Sequence, residues 1–228
     1  MSFPISRALI GRVPVVRDLA VFWRLFLRPV SPVADTDRSN NYLKEKGWPR
    51  SFFTGIPESR NGEPIPWFTY AATDFLAERV RKEHRVFEYG CGQSTLWWTR
   101  FGCRVVSCES SPEWAERVRR LAGPAAEILV HDVRSDGYVR EVLRGGRQYE
   151  IVLIDGFRRV DCTRVAVTAL TEDGVLVFDN SEREKYRPAL TLLAQQGFRR
   201  IDFDGLGPVN AYGWRTTVFY RSNNCLSI

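Results

Sequence analysis

The sequence has 228 residues, of which 44% are hydrophobic and 26% are charged. This length and composition are typical of one soluble globular domain with a sizeable core, and they exclude a largely disordered chain. The formal net charge is +6, and no run of five or more Lys or Arg occurs, so the basic excess indicates an arginine-rich solvated surface rather than a nucleic-acid-binding tail.

The cysteines and histidines disfavour both a disulfide framework and a zinc site. Five cysteines and two histidines occur, and no two cysteines are spaced as C-x-x-C. An odd number of cysteines without that spacing is typical of reduced thiols, and two histidines offer few zinc ligands. We therefore predict a cytoplasmic protein.

The first 66 residues are predicted to form an arm and a loop-rich cap. Residues 8–30 are apolar, but Pro14 and four arginines interrupt them well short of the roughly 20 apolar residues that span a bilayer. No signal-peptide cleavage pattern follows. Residues 15–28 are predicted to form a helix that docks on the domain or on a second subunit. The alternative is a helix on a membrane surface, which would make the protein peripheral to the membrane. Prolines, asparagines and glycines predict a loop over 31–66.

Strands and helices alternate from residue 67 to the end, and this part is predicted to be the main domain, 67–228. The apolar patterns predict helices over 67–82, 95–101, 112–121, 136–143, 162–170 and 187–196. They predict strands over 85–89, 104–108, 126–130, 150–154, 175–178, 199–203 and 216–221. Such alternation predicts a doubly wound α/β fold with a seven-stranded, mostly parallel sheet. No helix separates the last two strands, so we expect an antiparallel terminal strand. Ligands of such sheets bind at the carboxyl ends of the strands.

A glycine-rich loop follows the first strand, and its residues favour one nucleotide cofactor over another. It reads Glu88-Tyr89-Gly90-Cys91-Gly92-Gln93-Ser94-Thr95. G-x-G alone also fits a nicotinamide cofactor. Glu88, however, would repel a pyrophosphate at the following helix, whereas it suits the amino group of S-adenosylmethionine, and Thr95 replaces the third glycine of the dinucleotide motif. Glu109 ends the second strand about 20 residues later, where a carboxylate can bind ribose hydroxyls with either cofactor.

Four motifs in order, FEYGCGQST, SCESSPEW, VHDV and VLIDG, resemble those of class I S-adenosylmethionine-dependent methyltransferases over about residues 67–221. The resemblance implies a Rossmann-like fold with an N-terminal helical arm and S-adenosylmethionine as cofactor. It implies that Glu88 and the loop through Thr95 hold the methionine end, Glu109 the ribose, and His131 with Asp132 the adenine. Tyr89, Ser110 and Asp155 complete the predicted cofactor site.

Other interpretations of these residues stay open. Glu109 could lie beside a helix N-cap, and Asp132 could cap the next segment. Ser94 and Thr95 could simply start a helix. The segments GEPIPWFTY, GFRRIDF and TTVFYR further resemble a poorly characterised bacterial subgroup of these methyltransferases, which names no substrate.

Oxygen-bearing side chains end the fourth and fifth predicted strands. Asp155 follows one strand, and Asp179 with Asn180 follows the next. Neighbouring strands lie about 4.8 Å apart, and such ligands suit Mg²⁺. The arrangement is similar to the metal site of catechol and caffeoyl-CoA O-methyltransferases. Alternatively, Asp155 faces the cofactor and Asp179-Asn180 starts a turn.

The predicted catalytic residues are Asp155 and Arg158. The families with that metal site carry a lysine shortly after the first aspartate, whereas Arg158 and Arg159 stand there in this sequence. Arginine is a poor proton acceptor, so Arg158 is predicted to bind an anionic substrate instead. Segments 65–70, 181–186 and 205–214 are expected to shape the acceptor pocket, and one of Trp97 and Trp98 is expected in the core.

The favoured function is O-methylation of a small-molecule, glycan or lipid-linked acceptor. A nucleic-acid methyltransferase is the first alternative, motivated by the basic charge. The place after the fourth strand, where base-methylating enzymes carry an [ND]-P-P-[YF] signature, reads IDGFRR, which disfavours it. The second alternative is a cofactor-binding module without catalytic activity.

Overall fold

A seven-stranded sheet forms the centre of the structure, a computed structural model that describes residues 42–228. Its strands are β1 (Arg85–Tyr89), β2 (Arg104–Glu109), β3 (Ala126–Val130), β4 (Tyr149–Ile154), β5 (Leu170–Asp179), β6 (Arg199–Gly205) and β7 (Trp214–Tyr220). The order is β3-β2-β1-β4-β5-β7-β6. β1 to β5 are parallel, and β7 runs antiparallel to both β5 and β6. The predicted doubly wound α/β fold is confirmed, with the antiparallel strand lying between β5 and β6.

Eight α-helices occur among the described residues: α1 (Tyr42–Glu45), α2 (Trp48–Thr54), α3 (Tyr70–Ala77), α4 (Gln93–Arg100), α5 (Pro112–Ala122), α6 (Asp136–Arg140), α7 (Arg159–Ala166) and α8 (Arg187–Gln195). Short 3₁₀ turns follow α5, α6 and α7, and another precedes α8. Within residues 42–228, no helix has both the length and the apolar character that crossing a membrane requires.

The predicted helix over 67–82 is shorter at both ends. Thr69 has extended backbone angles, and its N–H donates to Thr216 Oγ1 at 3.1 Å. Because this bond ties Thr69 to β7, the helix begins only at Tyr70. The predicted helices over 136–143 and 162–170 likewise end early, in 3₁₀ turns that lead into β4 and β5.

The loop predicted over 31–66 is wrong for residues 42–54, which form α1 and α2. Pro49 lies in the first turn of α2, where its missing N–H costs no hydrogen bond. The buried Trp48 side chain donates from Nε1 to Asn210 O at 2.8 Å, which attaches α2 to the β6–β7 loop. The predicted helix over 15–28 lies outside the described residues. The boundary predicted between 66 and 67 stays a prediction, although residues 42–228 cluster as one unit.

Two hydrophobic layers cover the sheet. One contains Phe68, Leu76 and Trp98, and the other contains Phe87, Tyr138 and Phe178. β1 and β4 are buried over almost their whole length, as expected of parallel strands with helices on both faces. Trp97 and Trp98 are both buried, so both lie in the core, whereas only one of them was predicted there. This packing gives the carboxyl ends of β1 and β4 a rigid base.

Candidate functional site

The glycine loop after β1 turns back against the end of β4. Gly90 has φ +91°, a conformation that favours glycine, and its N–H donates to Cys108 O at 2.8 Å. A Cβ at Gly90 would lie 3.6 Å from Gly156 Cα. The loop therefore offers bare backbone at the sheet edge, where a ligand can approach closely. Tyr89 contributes only backbone here, because its buried hydroxyl donates to Val139 O at 2.7 Å.

Glu88 lies behind this loop and is fully buried. Ser94 Oγ and Ser107 Oγ each donate to its carboxylate at 2.7 Å, and Thr95 Oγ1 donates a third hydrogen bond. Burial raises the pKa of Glu88 to about 7, although the three hydroxyls oppose the shift. Glu88 thus anchors the start of α4, and its predicted role at the methionine end of the cofactor stays a prediction. The sequence reasoning missed Ser107, which the β1–β2 register places beside Glu88.

Glu109 and Trp114 hold Cys91 from two sides. Cys91 N–H donates to Glu109 Oε2 at 3.1 Å, and Trp114 Nε1 donates to Cys91 O at 2.6 Å. The other oxygen of Glu109 accepts the N–H groups of Ser110 at 2.7 Å and Ser111 at 2.9 Å. Glu109 is thus fixed at the end of β2 as predicted, and Trp114 is a site residue that sequence reasoning missed.

His131 and Asp132 follow β3 beside this group, and His131 N–H donates to Glu109 O at 2.9 Å. His131 Nε2 lies 2.6 Å from Glu141 Oε2. Asp132 is exposed, and its Oδ1 accepts Arg134 N–H at 2.8 Å. Asp132 therefore starts the turn into α6, which was the alternative interpretation, and their predicted adenine contact stays a prediction.

Arg159 joins the ends of β4 and β5 at the position predicted for a metal ion. The guanidinium is buried and donates from NH2 to Asp155 Oδ1 at 2.9 Å and to Asp155 O at 2.7 Å. It also donates to Asp179 O and, at 3.0 Å, to Gly156 O. Burial raises the pKa of Asp155, and the Arg159 charge opposes that shift.

Asp179, predicted with Asp155 and Asn180 as a metal ligand, is held by two residues of β7. Asp179 Oδ1 accepts Trp214 Nε1 at 2.9 Å and Thr216 Oγ1 at 2.6 Å. Burial, aided by the Asp155 charge, raises the pKa of Asp179 to about 8. Asn180 has φ +55° and accepts Arg183 N–H in a turn.

The Mg²⁺ prediction therefore has no support, and the turn interpretation fits Asp179-Asn180. Within residues 42–228, no group of three or more His, Cys, Asp or Glu is arranged to hold a metal ion. The cation beside Asp155 and Asp179 is a guanidinium instead.

Arg158 is held by backbone rather than left free in the pocket. Its φ is +48°, and NH1 donates to Ser135 O at 3.1 Å while Nε lies 3.3 Å from Asp161 Oδ2. The side chain still lines the cavity beside Asp155.

Two cavities, each of about 630 Å³, meet at the glycine loop and share Cys91, Ser94 and Asp155. The first cavity is lined also by Gly90, Glu109, Tyr138, Gly156, Arg158, Arg159, Asp161, Arg183, Lys185 and Tyr186. The second is lined also by Ile56, Pro57, Trp67, Gly92, Gln93, Leu96, Trp114 and Arg117. Of the segments expected to shape the acceptor pocket, 181–186 and 65–70 thus contribute, whereas no residue of 205–214 lines either cavity.

Gly156 is a third residue that sequence reasoning passed over. A Cβ there would lie 2.2 Å from Tyr138 Oη and 3.0 Å from Tyr89 O. Tyr138 Oη accepts Phe157 N–H at 3.1 Å, which fixes the turn after β4. The glycine in VLIDG was the available signal, because a glycine after a strand marks a close approach of backbone.

Comparisons with known proteins support the fold. No protein-family model matches the sequence, and neither does any curated protein. A solved structure of a proposed O-methyltransferase from Klebsiella pneumoniae is 13% identical, with a TM-score of 0.55 over 82% of this chain and 92% of that one. A proposed caffeoyl-CoA O-methyltransferase from Staphylococcus aureus is 11% identical, with a TM-score of 0.54 over 69% and 86%.

A proposed rRNA methylase from Clostridium thermocellum is also similar, at 12% identity and a TM-score of 0.53 over 68% of this chain and 96% of that one. The chain therefore has the fold of class I S-adenosylmethionine-dependent methyltransferases. The acceptors named for the second and third of these proteins, caffeoyl-CoA and rRNA, differ, so the fold by itself does not specify an acceptor.

Proposed function

We propose that the protein is an S-adenosylmethionine-dependent methyltransferase that acts on a hydroxyl oxygen of a small-molecule, glycan or lipid-linked acceptor. The observation that carries the proposal is the glycine loop, anchored by Glu88 behind it and by Glu109 beside it, which opens on a cavity that Asp155 also lines. Gly90 leaves backbone accessible there, and Glu109 presents a carboxylate at the end of β2, where ribose hydroxyls can bind. These residues fit the cofactor.

Bound in this cavity, S-adenosylmethionine would supply an electrophilic methyl group, with the thioether of S-adenosylhomocysteine as the leaving group. The protein must then orient the acceptor hydroxyl and take its proton. Asp155 suits this task, because it lines both cavities and Arg159 holds one of its oxygens in place. The raised pKa of Asp155 makes it a better proton acceptor than an ordinary aspartate. Arg158 shapes the wall beside it.

Thermal unfolding in the presence of S-adenosylhomocysteine tests the proposal. A ligand that binds only the folded state raises the melting temperature, so we expect a rise with S-adenosylhomocysteine and none with NAD. Glu109→Ala should weaken S-adenosylhomocysteine binding at least about tenfold, because Cys91, Ser110 and Ser111 lose their shared acceptor. Glu172→Ala, an exposed glutamate on β5, serves as the matched control. A rise with NAD instead would refute the cofactor.

The two alternatives predict other results. A nucleic-acid methyltransferase would bind RNA or DNA with an affinity that falls steeply with salt. Many arginines of the described part are paired with carboxylates, such as Arg85 with Glu150 at 2.6 Å and Arg215 with Asp204 at 2.9 Å, which disfavours a nucleic-acid surface. A non-catalytic module would bind S-adenosylmethionine without consuming it. Dimerisation or membrane contact through 15–28 stays a prediction.

A further inference from the structure

Two cationic side chains that the proposed methyl transfer does not use line the first cavity. Arg183 and Lys185, from the segment between β5 and α8, line it beside Tyr186. Lys185 Nζ lies 4.9 Å and Arg159 Cζ 5.2 Å from the ring centroid of Tyr186, so the ring contacts both cations. Glycine-loop residues and Glu109 line the cavity as well. The cavity thus combines the proposed cofactor site with two surface cations.

The other two arginines of this cavity are already engaged. Arg159 donates to Asp155, Gly156 and Asp179, and Arg158 donates to backbone and lies beside Asp161. Neither guanidinium can turn to a ligand without breaking these bonds. An anion in the cavity would therefore have to be bound by Arg183 and Lys185.

Arg183 and Lys185 lack such partners. The carboxylate nearest Arg183 is Glu182, with Nε and Oε1 3.7 Å apart, and the Arg183 charge reaches Asp155, where it lowers the pKa of that carboxyl. Among residues 42–228, no carboxylate lies within ion-pairing distance of Lys185. The cavity's own carboxylates are engaged, because Glu109 accepts three N–H groups, Asp155 pairs with Arg159, and Asp161 pairs with Arg158 and Arg164.

Charge balance favours an anionic acceptor. S-adenosylmethionine carries one net positive charge, and it would share the cavity with Lys185, which pairs with no carboxylate of residues 42–228, and with Arg183, whose nearest carboxylate is 3.7 Å away. Charges in such a partly enclosed site interact more strongly than in water. The two cationic side chains therefore attract an anionic acceptor more strongly than a neutral one.

We propose that the acceptor carries a carboxylate or phosphate group, which Arg183 and Lys185 bind in the first cavity. That the bound anion is the methyl acceptor rests on the proposed function, whereas the anion site itself does not depend on the cofactor. Carboxylate and phosphate share the chemistry that guanidinium and ammonium groups recognise.

Calorimetric titration of the full chain with phenyl phosphate, benzoate and benzyl alcohol tests the anion site, with and without S-adenosylhomocysteine. We expect at least one anion to bind and the neutral alcohol not to bind. The variant Arg183→Gln/Lys185→Gln should weaken the anion at least about tenfold. The variant Lys82→Gln/Arg120→Gln removes the same charge from exposed positions outside the cavity and should leave binding unchanged.

The outcomes separate this inference from the proposed function. If neither anion binds, or if the double variant binds the anion as tightly as the wild type, the anion site is refuted even when S-adenosylhomocysteine binds. If the anion binds and S-adenosylhomocysteine does not, the anion site stands and the proposed function falls. The relative affinities of phenyl phosphate and benzoate tell which anionic group the site prefers.

Discussion

Asp179 is a carboxylate that the fold removes from water. Trp214 and Thr216 donate hydrogen bonds to it, yet burial and the Asp155 charge still raise its pKa to about 8. An acid whose pKa is higher in the folded than in the unfolded state holds its proton in the folded state over the interval between the two values. Its contribution to stability is therefore fully present below about pH 4 and is lost as the pH rises towards about 8.

Replacing Asp179 with asparagine should remove this pH dependence. The amide oxygen of Asp179→Asn can still accept from Trp214 and Thr216, but the side chain no longer titrates. We expect the free energy of unfolding to fall less between about pH 5 and pH 8 in the variant than in the wild type. Urea denaturation at several pH values measures it, with the exposed Asp132→Asn as control. Parallel pH curves for Asp179→Asn and the wild type would contradict the raised pKa.

Arg159 acts at the scale of the elements, because it joins the end of β4 to the end of β5. Its guanidinium satisfies two backbone carbonyls of the turn after β4 and one at the end of β5, in addition to the Asp155 carboxylate. Removing it would leave these acceptors and a partly buried negative charge without a partner.

The variant Arg159→Met should lower the free energy of unfolding by about 3 kcal/mol, the lower part of the range for broken buried pairs, since Asp155 is 31% exposed. Arg164→Met, which breaks a pair at an arginine that is 56% exposed, should change it by less than about 0.5 kcal/mol. Urea denaturation compares the two. Equal losses of stability would mean that Arg159 contributes no more than a surface arginine does.

The sequence could place Arg159 after a predicted strand. It could not predict the hydrogen bond to Asp179 O, because that acceptor lies on another strand, 20 residues later in the chain.

Element types were predictable to very different degrees along the chain. β1 and β3 have the bounds predicted from their apolar runs, since short, mostly apolar segments between polar turns allow few other conformations. The helix predicted over 67–82 was too long, because a hydrogen bond from Thr69 to β7 overrides local propensity. Pro49 was interpreted as a loop signal, whereas it starts α2.

At the scale of the whole molecule, the C-terminal tail closes one hydrophobic layer. Asn224 donates from Nδ2 to Arg221 O at 2.8 Å and Ile228 O at 2.7 Å, and its Oδ1 accepts Leu226 N–H at 3.1 Å. These bonds fold the tail so that Leu226, 2% exposed, packs in the layer with Leu76 and Trp98. Nothing in the apolar pattern after β7 indicated this contact.

Leu226→Ala should lower the free energy of unfolding by about 2–5 kcal/mol, as in other buried leucine truncations. Leu121→Ala, at a leucine that is 62% exposed, should change it by less than about 0.5 kcal/mol. Chemical denaturation of both variants checks this, and similar small losses would show that the tail is not part of the core.

The sequence by itself determined the α/β alternation, the strand that leads into the glycine loop and the placement of Glu109 and Asp155 at strand ends. Those features depend on local periodicity and on glycine spacing, which a single stretch of chain carries. Only the tertiary structure decided that Glu88 faces three hydroxyls, that Trp114 holds Cys91, and that Arg159 lies where a metal was predicted. These contacts join residues from different elements, and the register and burial that create them exist only once the sheet has assembled.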